Sequence, residues 1–344
     1  MTFLARPTAG VTPETDLVTG VGSTAPYIYA HAWNSGFGTQ YANPSVALSG
    51  IVFNASFSPS GQTLLISVSV GPPYVIAYKW LPGYGTKYTD PASFPASTVT
   101  GGIFSPQENA TAFSIDVSPY VVAYPWTASG GFGTIYSNPA TLPAGYARGI
   151  AFSPAGNAVA VAHDTSPYVT VYAWSASTGF GAKYADPSTL PAGDGRSVRF
   201  SNDGSSIIVG HLNSPYVSAY AWNASTGFGA KYSDPASALT SAVSGIDFSP
   251  SNGVIALSLS NSSPSLEAYP WSSSTGFGTK YSGPATVGSV AREVAFSPDG
   301  KNIVVATSSQ TCVFPWSNSS GFGTIYTPPS ALLSSTYSVA WRPA

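Results

Sequence analysis

Ser166-Pro167-Tyr168-Val169-Thr170-Val171-Tyr172-Ala173-Trp174-Ser175-Ala176-Ser177-Thr178-Gly179-Phe180-Gly181-Ala182-Lys183-Tyr184-Ala185-Asp186-Pro187 is followed 48 residues later by nearly the same string, Ser214 to Pro235. The Gly-aromatic-Gly element inside it occurs seven times, centred on Phe37, Tyr84, Phe132, Phe180, Phe228, Phe277 and Phe322. A Trp precedes each copy: Trp33, Trp80, Trp126, Trp174, Trp222, Trp271 and Trp316. A Tyr follows each four residues on, from Tyr41 to Tyr326. A second anchor keeps the same beat, a strand ending at Phe57, Phe104, Phe152, Phe200, Phe248, Phe296 and finally Trp341. A fixed period of this length marks a repeat architecture, in which each unit buries its apolar surface against its neighbours.

Within the copy around residue 210, Ser197–Ser201 reads as a first strand, and Asn202-Asp203-Gly204 has hairpin-turn chemistry. Ser206–His211, Pro215–Trp222 and Phe228–Tyr232 read as the second to fourth strands. No stretch repeats with helical periodicity, so helix content near zero is expected. Along the third strand, Tyr216, Tyr220 and Trp222 share one face and Val217, Ala219 and Ala221 the other. Neither face suits water. A ring of such sheets, bulky face against small face, buries both. The chain ends complete the ring. Val339–Trp341 is a first strand with nothing after it, whereas Leu17–Gly22, Pro26–Trp33 and Phe37–Tyr41 are outer strands with no first strand before them. The expectation is an all-β, seven-bladed β-propeller of four-stranded antiparallel blades over residues 17–344. The C-terminal inner strand joins the N-terminal outer strands, and residues 1–16 form an arm outside the ring.

The segment Phe296-Ser297-Pro298-Asp299-Gly300 with Asn302–Ala306 resembles the inner strands of WD-repeat propellers, and Pro167–Tyr172 resembles YVTN-type bacterial repeats. The Gly-His dipeptide of the WD family does not recur from repeat to repeat, and no repeat Trp is followed by Asp. The S-P-Y-V-x-A-Y-x-W and S-T-G-F-G strings are similar to repeats of tailed-bacteriophage and environmental viral proteins. That resemblance implies a structural or binding ring.

Only 8% of the residues are charged and the formal net charge is -2, with no basic stripe, so a nucleic-acid partner is not expected. The single Cys312 excludes an intrachain disulfide and reads as a small buried side chain. Met1–Gly20 has no long apolar run behind a basic start, so no signal peptide is expected. No run of apolar residues is long enough to span a bilayer as a helix, so no membrane insertion is expected either. Synthesis in a cytoplasm follows.

Chemistry-bearing residues are few. His163 and His211 hold equivalent positions eleven residues before their repeat Trp. They read as a metal pair, as a base near the ring opening, or as two turn residues. Their equivalents Gly22, Ser69, Ile115, Ser260 and Val305 supply no third ligand, so no metal and no cofactor is expected. Arg148, Arg196 and Arg292 each stand four residues before an anchor Phe, at the start of an innermost strand and near one channel mouth. They read as a cationic cluster for an acidic ligand, or as solubilising residues. The repeat tyrosines read as inter-blade core, with sugar-stacking pockets as the other reading. No nucleophile elbow, Walker loop or H-E-x-x-H motif occurs. The resulting expectation is a non-enzymatic virion protein of a phage tail or head, contacting other virion proteins or a host-surface receptor or glycan, with a symmetric homo-oligomer as one form. A lectin-like propeller is the first alternative. A propeller lactonase or hydrolase is the second.

Overall fold

The computed structural model describes residues 15–22, 25–284, 287–288 and 290–343. Seven four-stranded antiparallel sheets stand in a ring, and among the described residues one 3-10 turn, Ser330–Leu332, is the only helical element. Blade 1 combines Thr15–Val21, Ile28–Trp33 and Phe37–Gln40 with the C-terminal Thr336–Trp341. Blades 2 to 7 follow in chain order, their innermost strands being Val52–Phe57, Val99–Phe104, Ala147–Phe152, Gly195–Phe200, Val243–Phe248 and Ala291–Phe296. Each innermost strand packs beside those of the two neighbouring blades, and Thr336–Trp341 lies between the innermost strands of blades 7 and 2.

The sheets form where the sequence alternates, and they end at turns with their own chemistry. In blade 5 the Ser201 hydroxyl accepts the Ser206 N–H at 3.0 Å, and Gly204 takes a φ of +69°, a conformation open to glycine at little cost. The second strand of blades 2 to 7 is buried from end to end, because sheets cover it on both faces.

The aromatic repeat explains why blades stack in this order. Trp174 meets Phe152 and Phe180 of its own blade edge-on, with centroids 5.3 and 5.0 Å away, and Tyr136 of the preceding blade at 5.3 Å. Edge-to-face pairs of this kind contribute about 0.5–1.5 kcal/mol each beyond the area they bury. The seam between blades 7 and 1 uses the same parts: Trp33 packs on Phe37, Tyr326 and Trp341. Third-strand tyrosines pin the crossovers between blades, Tyr78, Tyr124, Tyr172 and Tyr220 donating to the carbonyls of Val46, Ser93, Thr141 and Thr189.

The ring closes as the sequence predicts. Leu17, Val18 and Thr19 pair with Trp341, Ala340 and Val339. The first strand begins at Thr15 and takes in Asp16, so both belong to the sheet and not to the expected arm. The rest of that arm lies outside the described residues. The Lys87–Asp90, Lys183–Asp186 and Lys231–Asp234 pairs form at the outer edges of their blades, their lysines half-buried.

Candidate functional site

The innermost strands enclose a central cavity of about 540 Å³. Each of these strands carries a β-bulge one residue in from its start, where the register with the second strand shifts. A bulge leaves one residue unpaired and re-aims its side chain. The bulged residues are Tyr337, Phe53, Thr100, Arg148, Arg196, Ser244 and Arg292, in ring order, and all seven line the cavity. Local backbone irregularity, repeated seven times, thus builds the channel mouth.

The three arginines do not form one cluster. Arg292 is built into the wall: its Nη1 donates to the Thr336 carbonyl at 2.7 Å and to Ser335 Oγ at 3.0 Å, and its guanidinium lies 4.0 Å over the Tyr337 ring. Arg148 and Arg196 stand on adjacent blades with no carboxylate at ion-pair distance among the described residues. The Nε atoms of both are buried and have no hydrogen-bond partner among the described residues. Arg148 lies 4.3 Å over the Tyr146 ring. Burial, reinforced by the charge of Arg148, pulls the Arg196 guanidinium below its ordinary pKa. Gly149 brings the two blades together, since a Cβ there would stand 2.9 Å from Ser197 Cα.

Further along the channel lies a group that the sequence analysis passed over. Glu293 is pushed up to about 8, chiefly by burial; the Asp247 charge adds to the rise, while the Val339 N–H and Arg199 oppose it. Its Oε2 accepts the Val339 N–H at 3.0 Å. Asp247 accepts from Arg199 Nη2 at 2.6 Å through Oδ1 and from the Phe296 N–H at 2.8 Å through Oδ2. These bonds have a common origin. The free edge of each innermost strand faces the channel, with N–H and C=O groups that no further strand can pair. Side chains of neighbouring blades satisfy them: Asn54 accepts from Gly102 N–H, Ser56 donates to the Gly102 carbonyl, and Thr100 donates to the Ala147 carbonyl.

The repeat columns carry a signal for these residues. One residue before the anchor, the column reads Ser56, Ile103, Ala151, Arg199, Asp247, Ala295 and Ala340; three before, it reads Asn54, Gly101, Gly149, Ser197, Gly245, Glu293 and Ser338. Charge enters each column on one or two blades, and those blades are neighbours.

His163 and His211 lie elsewhere. Both are fully buried at the ends of second strands, and neither lines the channel. His163 Nε2 pairs with Thr170 Oγ1 at 2.9 Å, and His211 Nε2 with Ser218 Oγ at 3.0 Å. Burial lowers each to about 4. His31 is likewise buried, edge-on to Phe37. Among the described residues no three His, Cys, Asp or Glu side chains come together as a metal site. The repeat tyrosines are staples between blades. Tyr88, Tyr136, Tyr184, Tyr232 and Tyr281 donate their hydroxyls to backbone carbonyls of the next blade and pack on its Trp, so they present no open sugar platform. Among the described residues no helix is long and apolar enough to cross a membrane.

No protein-family model matches the chain, and no curated protein matches its sequence. Solved structures do match. The periplasmic gluconolactonase of Pseudomonas aeruginosa is similar with a TM-score of 0.74 at 18% identity, over 96% of this chain and 99% of its own. A protein of Bacteroides fragilis with the provisional name 6-phosphogluconolactonase gives 0.75 at 13% identity, over 97% and 99%. One of the same provisional name from Bacteroides uniformis gives 0.73 at 14%, over 96% and 100%. At such identities the likeness establishes the seven-bladed ring. It also corrects the expectation of a non-enzymatic phage protein of tail, head or decoration type. These three chains, which share the ring along nearly their whole lengths, bear lactonase names, and the viral resemblance of the repeat strings finds no support among them. The WD-repeat likeness holds for the fold alone.

Proposed function

We propose that the chain is a hydrolase that opens a small lactone in the channel mouth. The observation that carries this reading is the presence, within one cavity, of a carboxyl whose pKa is raised to about 8 and two guanidiniums with no carboxylate at ion-pair distance among the described residues. Perturbed titratable groups facing a cavity are where proton-transfer chemistry is found. The likeness to gluconolactonase rings supports the same reading.

In lactone hydrolysis, water adds to the acyl carbon and the bond from that carbon to the ring oxygen breaks. The hydroxyl ends on the acyl carbon, and the second proton of the water ends on the former ring oxygen. Glu293, in its carboxylate form, takes that proton from the water and returns it to the departing oxygen. Arg148 and Arg196 supply fixed positive charge for a negative group of the substrate or for the developing oxyanion. Arg199, bound to Asp247, keeps a third charge beside Glu293 without titrating.

The test is acid release at constant pH from glucono-1,5-lactone, dihydrocoumarin and γ-butyrolactone. Enzymatic rate above buffer is expected to climb as pH rises through about 8, where the Glu293 carboxylate forms. Glu293→Gln is expected to lose on the order of 10²–10⁴ of kcat. The Arg148→Ala/Arg196→Ala double variant is expected to raise KM. Buffer-level rates with every lactone, or full activity in Glu293→Gln, would overturn the reading.

A further inference from the structure

The channel mouth is polarised across its diameter. Blade 1 contributes Tyr337 and blade 2 Phe53, two rings in edge-on contact at 5.7 Å and 67°. Tyr337 is fixed in place: Arg292 lies over its face, and the ring fills the space beside Gly22, where a Cβ would come within 2.2 Å of it. In a ring of seven, the point opposite blade 1 falls between blades 4 and 5. Those two blades carry Arg148 and Arg196. Between the two arcs, Thr100 of blade 3 has turned its hydroxyl away to the Ala147 carbonyl at 2.7 Å. One side of the mouth therefore carries Phe53 and Tyr337, with the Arg292 guanidinium already taken up by the wall, and the other carries the guanidiniums of Arg148, stacked on Tyr146, and Arg196, with a cavity of about 540 Å³ beneath both.

We infer that this mouth selects an amphiphilic anion, a carboxylate or phosphate at one end and an aryl or acyl group at the other, in preference to a polyhydroxylated sugar acid. The inference deepens the lactonase reading, because it concerns the ligand of the same site. Phe53 has no polar side-chain atom, so a sugar hydroxyl against it loses its water without gaining a partner. An aryl or acyl group against the same arc gains the burial of its apolar surface. The anion faces two guanidiniums that have no carboxylate at ion-pair distance among the described residues, which makes the arginine side the anchor for charge and Phe53 the source of selectivity.

Binding, measured without turnover, tests this. Isothermal titration uses 3-phenylpropionate, gluconate and neutral 3-phenylpropan-1-ol against the full chain. Phenylpropionate is expected to bind at least about tenfold more tightly than either of the others, a gap equal to one lost polar or charged contact. Phe53→Asn should bring phenylpropionate down to the level of gluconate, whereas Phe53→Leu, which keeps the arc apolar, should retain the preference. Arg148→Ala/Arg196→Ala should bring phenylpropionate down to the level of the alcohol. Gluconate binding as tightly as phenylpropionate, an unchanged preference in a folded Phe53→Asn protein, or no binding of any probe would overturn the inference. The two readings fail separately. A protein that prefers phenylpropionate yet opens no lactone keeps this inference and loses the hydrolase. One that opens gluconolactone and shows no aryl preference does the reverse.

Discussion

Asp16 shows how one residue can hold the ring shut. Its carboxylate is buried and accepts from Trp80 Nε1 at 2.8 Å and Tyr41 Oη at 2.7 Å, and it pairs with Arg342 Nε at 2.7 Å. It thereby ties the N-terminal strand to blade 2 and to the last turn of the chain. The same column in blades 2 to 7 holds Thr63, Ala110, Ala158, Ser206, Val254 and Asn302. Without that carboxylate, the buried indole N–H groups of Trp126, Trp174, Trp222 and Trp271 have no hydrogen-bond partner among the described residues. The charge stands at the seam where the two chain ends must find each other. Asp16→Ala leaves the buried Trp80 N–H without its acceptor and removes the carboxylate beside Arg342, and an expected loss of about 1–3 kcal/mol follows from the unsatisfied donor. Asp16→Asn keeps an acceptor and should lose less. Urea denaturation measures both. A loss below about 1 kcal/mol for Asp16→Ala, the range of an exposed pair, would show that the clasp does not depend on this carboxylate.

At the scale of the element, the innermost strand does two jobs, and its glycines mark where they meet. Gly149 follows the bulged Arg148, and a Cβ there would meet Ser197 Cα at 2.9 Å and the Arg196 carbonyl at 3.2 Å. Both are backbone atoms, so the strand itself must move. Gly149→Ala is expected to cost about 1–3 kcal/mol of stability, as overpacking does, and to weaken anion binding by spreading Arg148 and Arg196. Binding that survives while stability falls would place the anion elsewhere. The strands themselves are legible in the sequence, because aromatic anchors repeating at a fixed interval leave one architecture in which both faces of every sheet are buried. Strand limits come out within a few residues, as for blade 5, where Ser197–Ser201 is read and Gly195–Phe200 is found. The bulge is not legible, since it is an extra residue in one strand relative to its partner and leaves no composition of its own. The arginines could therefore be placed at the mouth, but not the division between a free pair and an Arg292 held in the wall. Glu293 and Asp247 are hidden for a related reason. A single carboxylate in a charge-poor chain reads as solvated surface until closure of the ring turns that strand edge inward.

For the whole molecule, burial of titrating groups in opposite senses fixes the pH at which the ring is most stable. Glu293 rises from 4.5 unfolded to about 8 folded. Between those values the folded state holds a proton that the unfolded chain has lost, so stability falls as pH rises through this window and levels off above it. His163 and His211 fall from 6.5 unfolded to about 4 folded. Between 6.5 and 4 the unfolded chain binds protons that the buried rings refuse, so the stability they contribute is present above 6.5 and is lost as pH falls toward 4. From about pH 4.5 to 6.5 these two histidines, joined by His31, whose pKa burial also lowers, oppose one carboxyl and stability climbs with pH; from 6.5 to 8 the carboxyl acts alone and stability declines. The maximum is expected near pH 6.5, slightly above the sequence pI of about 5.8. Tm measured from pH 4 to 9 traces the curve, and Glu293→Gln should flatten its alkaline limb while leaving the acid limb in place. A Tm that rises between pH 6.5 and 8 in the parent chain would mean that Glu293 is ionised in the folded ring. The carboxyl would then lose both its part in this balance and its place as the group that gains proton-accepting power near pH 8.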